Sequence, residues 1–141
     1  MESQKVHILV VDDDPFVREM LSMILESGDY TVETAESGED ALEKYSNHPG
    51  LDLIISDMNM PGKSGLQLIK DLRKLQTNVP IIILTGNNEI SVAVEAMNNG
   101  ASDCLPKDEN IQDAILLSVN RVLEKKNLEN SNCRLMEDLE K

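Results

Sequence analysis

Three consecutive carboxylates, Asp12, Asp13 and Asp14, follow directly on the apolar run Ile8–Val11, and Pro15 comes after them. Side by side, such groups repel one another unless a cation compensates. Further along, Ser56 and Asp57 close the run Leu53–Ile55, Thr85 and Gly86 close Ile81–Leu84, and Lys107 follows Leu105 and Pro106. Oxygen-only ligation, with no His or Cys beside the carboxylates, points to a hard divalent cation, Mg²⁺ or Mn²⁺, with waters completing an octahedron. A hard cation beside a carboxylate, a hydroxyl and an ammonium is a set of parts for phosphoryl transfer. The metal and the ammonium neutralise the phosphoryl oxygens while the carboxylate attacks in line. The chemistry these residue types can do together is the formation of an aspartyl phosphate.

That chemistry requires the residues to meet, and the elements between them say how. Short apolar runs alternate five times with amphipathic stretches: Val6–Val11, Tyr30–Ala35, Leu51–Ser56, Pro80–Thr85 and Ser102–Leu105 are the runs. Several are apolar on consecutive residues, the pattern of strands covered on both faces of a parallel sheet. Between them lie helix signals. Asp14 and Pro15 fit N-cap and N1, and Val17, Met20, Leu21 and Ile24 make one face ending before Gly28. Ser37 with Asp40, and Ser64 with Gln67, have capping-box spacing. Ile90, Ala93, Val94 and Met97 form another stripe, stopped by Gly100 at a C′ position. Asn110 begins a last helix. The pattern predicts an α/β sandwich with a parallel five-stranded sheet.

In open parallel α/β sheets ligands bind outside the carboxyl ends of the strands. Asp12, Asp13, Asp14, Asp57, Thr85 and Lys107 all fall on that edge. Each also has an ordinary explanation: Asp14 caps a helix, Asp57 caps the turn-rich Met58–Gly62, Thr85 is a β-branched strand residue, Lys107 is solvated. All of these would have to hold at the same edge, so one convergent site is preferred. Asp14 is set apart as the cap.

Composition narrows the rest. The chain has 141 residues, enough for one domain with a real core. Aromatics are 2% of it, so that core is aliphatic. Residues 1–120 carry 8 Lys and Arg against 21 Asp and Glu, and residues 121–141 carry 5 against 5, so the whole net charge of −13 lies in the first segment. Such a surface repels nucleic acid and anionic membrane. No apolar run approaches membrane-spanning length, and Cys104 and Cys133 form no metal-ligand pattern, as in a soluble, cytoplasmic protein with reduced thiols. His7 falls in the first strand, away from the predicted carboxyl edge, and His48 precedes Pro49 and Gly50 in a loop, so solvated or structural roles suffice for both.

The four motifs ILVVDDDP, IISDMNMPGKSG, IIILTG and LPK, in this order and spacing, resemble the receiver domain of two-component response regulators, the CheY-like family. The resemblance covers residues 5–123, setting a receiver at 1–123 apart from a helical extension or linker at 124–141. It implies a flavodoxin-like sheet of order 2-1-3-4-5. It also implies roles by position. Asp57 is the phosphoacceptor. Asp12 and Asp13 are the acidic pair that holds Mg²⁺ with Asp57, Asp13 directly and Asp12 through water. Asn59 lends the metal a backbone carbonyl. Thr85 moves toward the phosphoryl group, and Lys107 pairs with it. The implied partners are a sensor histidine kinase or phosphotransfer protein upstream and an output domain or protein downstream.

Two positions depart from the family pattern. Lys107 is followed by Asp108 where a cis proline is usual, and Cys104 stands where an aromatic side chain usually swings on activation. Signal transmission then relies more on Thr85 and on backbone movement. Exposed residues of the fourth helix, such as Val92, are candidates for a partner surface if they are not packed inward. Two competitors remain at this point. Asp12-x-Asp14 resembles the nucleophile motif of haloacid-dehalogenase-like phosphatases, with Asp12 as nucleophile. A degenerate receiver could serve as a binding module without phosphorylation. The tail, with Leu128, Leu135 and Leu139 interrupted by Asn127, Asn130 and Asn132, reads equally as a frayed end or as a weak coiled coil pairing two copies.

Overall fold

The computed structural model describes residues 6–48, 50–58, 64–75, 79–86, 90–107 and 110–124. Five strands and five helices alternate along them. They are β1 (His7–Val11), α1 (Pro15–Ser27), β2 (Thr31–Ala35), α2 (Gly38–Asn47), β3 (Leu53–Asp57), α3 (Gly65–Lys74), β4 (Ile81–Thr85), α4 (Ile90–Asn98) and β5 (Asp103–Pro106). Helix α5 runs over described residues 111–124. All neighbouring strands pair in parallel, in the order β2-β1-β3-β4-β5. The expected class and strand order are therefore observed. Residues 125–141, with the tail's proposed stripe, lie outside the described residues, as do Asn59 and Asp108.

The aliphatic runs become strands because both sheet faces are covered. Ile8, Val10, Leu53, Ile55, Ile82 and Leu84 point to one side and pack with Leu21, Ile24 and Leu25 of α1 and Ile111, Ile115 and Val119 of α5. Leu9, Val11, Ile54, Ile81 and Ile83 point to the other and meet Ala41 of α2, Leu68, Ile69 and Leu72 of α3 and Ala96 of α4. Each Leu or Ile so enclosed contributes about 1.5–3 kcal/mol of burial.

Helix starts follow the cap residues. Asp14 Oδ1 accepts the Phe16 N–H at 2.9 Å, Ser37 Oγ accepts from Asp40 at 3.1 Å, and Ser64 Oγ accepts from Gln67 at 3.2 Å. The Asp40 carboxylate reaches the N–H of Glu36, one residue before the cap, and the Gln67 amide turns to Asp71, so neither capping box closes on its cap residue. After α4 the chain turns at Gly100, whose φ of 115° suits glycine.

Helix α4 corrects the expected stripe. Val94 and Met97 are 53% and 45% exposed, whereas Ala96 is buried and Val92 packs against the core. Val92 is thus not the exposed partner-surface residue considered from the sequence. Ala96 and Val92 are the residues by which α4 meets the core, and the larger Val94 and Met97 lie on its exposed side. Among the described residues no helix is long and apolar enough to cross a membrane.

Candidate functional site

The β1–β3 register pairs Val11 with Ser56, so the next residues, Asp12 and Asp57, leave the sheet side by side at its carboxyl edge. Both are buried, at 1% and 6% exposure. Two buried carboxylates need a counter-charge, and β5 supplies one. Lys107 Nζ lies 2.9 Å from Asp12 Oδ2 and 3.1 Å from Asp57 Oδ1. The Lys107 backbone N–H donates to the Thr85 carbonyl at 2.8 Å, which ties its position to the end of β4. Burial pulls the ammonium's pKa down. The hydrogen bond and charge of Asp12, followed by those of Asp57, outweigh that and hold it above the usual lysine value.

Asp12 is held on several sides. Its N–H donates to the Ala35 carbonyl, and its Oδ1 accepts the Asp14 N–H at 2.9 Å. Arg18, on the first full turn of α1, donates to its carbonyl oxygen at 2.6 Å. Asp13 is exposed, and carboxylate oxygens of Asp12, Asp13 and Asp57 lie within 4.8 Å of one another. Three hard oxygen donors at that spacing fit a small divalent cation that keeps several waters. Asp14 stands apart as the α1 cap, as the sequence suggested.

Thr85 is buried at the end of β4 and stands diagonal to Cys104 in the β4–β5 ladder. Burial pushes the Cys104 thiol's pKa up, and the neighbouring charge of Asp103 adds to the rise.

Three contributors were not legible beforehand. Nothing in the sequence sets Arg18 apart from an ordinary helix-surface cation. Ser56 is fully buried, and its hydroxyl donates to the Asp57 carbonyl at 3.0 Å. Gly65 opens α3 so close to the site that a Cβ there would sit 2.6 Å from the Asp57 carbonyl oxygen. A glycine directly after the cap Ser64 was the only available signal for it.

A model of the response regulator receiver domain matches residues 8–120. The chain belongs to this family. Among similar proteins, the transcriptional regulatory protein GlrR of Escherichia coli strain K12 is 38% identical over 124 residues, covering 88% of this chain and 28% of that protein. The transcriptional regulatory protein FixJ of Bradyrhizobium diazoefficiens is 38% identical over 105 residues, covering 73% of this chain and 50% of its own. A response regulator receiver domain protein from Clostridium thermocellum superposes with a TM-score of 0.81 at 31% identity, covering 87% of this receiver and 98% of the other chain. The receiver thus spans between about a quarter and a half of the length of these curated relatives. They are named as transcriptional regulators rather than as enzymes. The phosphatase alternative gains no support. Its nucleophile would be Asp12, whose side chain is buried and engaged by Lys107 and by the Asp14 N–H.

Proposed function

We propose that this receiver is a phosphorylation-dependent signalling switch that accepts a phosphoryl group on Asp57. The observation that carries the reading is the constellation at the β1–β3 edge: Asp12, Asp13 and Asp57 clustered, with Lys107 between the two buried members. The donor is the phosphohistidine of a histidine kinase or phosphotransfer protein. A carboxylate oxygen of Asp57 attacks phosphorus, the P–N bond breaks, and the imidazole leaves with its electron pair. Mg²⁺ would be held by Asp13 and Asp57, with Asp12 acting through water and the Asn59 carbonyl as the further ligand that the family resemblance implies, and when bound it would supply positive charge to the phosphoryl oxygens. Lys107 provides a second cation already in place. Its ammonium can exchange a carboxylate oxygen of Asp57 for a phosphoryl oxygen without leaving Asp12.

The product replaces a monoanion by a larger, more highly charged group, and Thr85 turns to it as a hydroxyl donor. That movement biases a two-state equilibrium of the β4–α4 and β5–α5 region, which an output domain or separate protein reads. The acidic surface suits a protein partner in the cytoplasm and disfavours direct nucleic-acid binding by this stretch.

Intact mass after incubation with acetyl phosphate and Mg²⁺ tests this. One phosphoryl adduct is expected on the native chain and none on Asp57→Asn. An adduct that survives Asp57→Asn but disappears with Asp12→Asn would overturn the assignment, as would sustained hydrolysis of a phosphate ester.

A further inference from the structure

The three carboxylates of the cluster are not held alike. Lys107 grips those of Asp12 and Asp57, and the Asp14 N–H adds a second hold on Asp12. The Asp13 carboxylate is exposed and has no hydrogen bond or ion pair among the described residues, yet one of its oxygens lies within 4.8 Å of the other two groups. Its direction is therefore set by its backbone. That backbone starts at the Asp12–Asp13 peptide, and Arg18 Nη1 donates to the carbonyl oxygen of this peptide at 2.6 Å.

Arg18 reaches it from one turn into α1. Its own N–H donates to the Asp14 carbonyl at 3.0 Å, and its side chain folds back across that turn to the end of β1. The charge on the guanidinium makes such a bond short and strong. A carbonyl held in this way fixes the plane of its peptide, and with it the starting direction of residue 13.

We propose that Arg18 is a positioning residue for Asp13: by clamping the Asp12–Asp13 peptide it presents the Asp13 carboxylate to a Mg²⁺ ion without touching the metal. Partners that orient metal ligands usually grip the ligating side chain, whereas this one grips the main chain. The inference rests on the cation-site reading above, because it needs Asp13 to ligate the ion. Two effects of the guanidinium oppose each other. As a cation near the cluster it repels Mg²⁺, so its loss alone would tighten binding. As a clamp it pre-organises a ligand, so its loss weakens binding. The sign of the change separates the two.

In an NMR titration with Mg²⁺, Arg18→Met should bind about tenfold more weakly than the native chain. Arg18→Lys keeps the charge and a donor and should fall between them. Phosphorylation by acetyl phosphate should need proportionately more Mg²⁺ to reach half its maximal rate in Arg18→Met. Without metal, amide hydrogen exchange in Arg18→Met should quicken at Asp14, whose N–H reaches Asp12 Oδ1 across the clamped peptide. It should stay unchanged at Ile54, whose N–H donates to the Pro80 carbonyl where β3 meets β4. Tighter or unchanged Mg²⁺ binding in Arg18→Met overturns the clamp. Exchange that quickens equally at Ile54 also overturns it, because the arginine then supports the fold as a whole. Failure of the native chain to bind Mg²⁺ overturns the cation-site reading itself.

Discussion

Lys107 and Asp12 are 95 residues apart in sequence, and the Lys107 ammonium lies 2.9 Å from the Asp12 carboxylate. This contact joins the end of β5 to the end of β1 across the two strands between them. It explains how Asp12 and Asp57 are tolerated in a nearly buried position. Lys107→Met should therefore leave two close carboxylates without their cation and lower stability by about 1–2 kcal/mol at neutral pH, less than for a fully enclosed pair because the lysine is about a third exposed. The pH dependence follows from the raised lysine pKa. The folded protein keeps this proton at a pH where the unfolded chain has lost it. The contribution is then complete below the unfolded value of about 10.4 and is lost as pH rises through the higher folded value. Urea unfolding from neutral to strongly alkaline pH should show a smaller alkaline loss of stability in Lys107→Met than in the native chain.

A divalent cation should act on the same repulsion from the solvent side. Mg²⁺ binds the folded cluster and finds no such cluster in the unfolded chain, so it should raise the melting temperature in a concentration-dependent way. Asp13→Asn removes one of the three negative charges and one ligand. Its melting temperature without Mg²⁺ should lie above that of the native chain, and its response to Mg²⁺ should be largely lost. Thermal melts of both proteins over a magnesium series measure both effects. An undiminished magnesium response in the variant would remove Asp13 from the cation site.

What could be read in advance was set by local pattern, and what could not was set by neighbours. Strands enclosed on both faces are written as aliphatic runs, so β1, β3 and β4 were legible, and with them the edge holding Asp12, Asp57 and Thr85. The face of α4 was not. Val94 and Met97 are as apolar as many core residues, yet they lie exposed while Ala96 of the same helix is buried, a choice of face that composition does not encode. The substitution at Cys104 was visible as the lack of an aromatic, but its place diagonal to Thr85 is set by the β4–β5 register and leaves no local trace. Arg18 is similar: nothing in its helix separates a solvated arginine from one donating to the Asp12 carbonyl.

The division within the acidic triplet can be tested on Asp14. Its Oδ1 accepts the Phe16 N–H, one of the donors that the first turn of α1 cannot satisfy internally. Asp14→Ala should cost about 1 kcal/mol in chemical denaturation, and Asp14→Ser should recover most of it. Phosphorylation by acetyl phosphate should proceed at the native rate in both, since the backbone N–H that Asp14 donates to Asp12 is retained. A phosphorylation defect in Asp14→Ser would return Asp14 to the site.

Gly65 tests how closely α3 must approach the phosphoacceptor. Its N–H donates to the Met58 carbonyl at 3.0 Å, which holds the start of α3 against the end of β3. A Cβ at this position would stand 2.6 Å from the Asp57 carbonyl oxygen and 3.0 Å from the Met58 Cα, and both are backbone atoms that no rotamer change can move aside. Gly65→Ala must therefore push α3 or the Asp57–Met58 peptide outward. Such overpacking typically costs about 1–3 kcal/mol, so the urea midpoint should fall accordingly. Displacing that peptide also tilts the Asp57 carboxylate relative to Lys107. The variant that remains folded should be phosphorylated more slowly at saturating Mg²⁺. Loss of stability with an unchanged phosphorylation rate would show that the strain is absorbed by α3 alone and that Asp57 is held independently, through Lys107 and the β3 ladder.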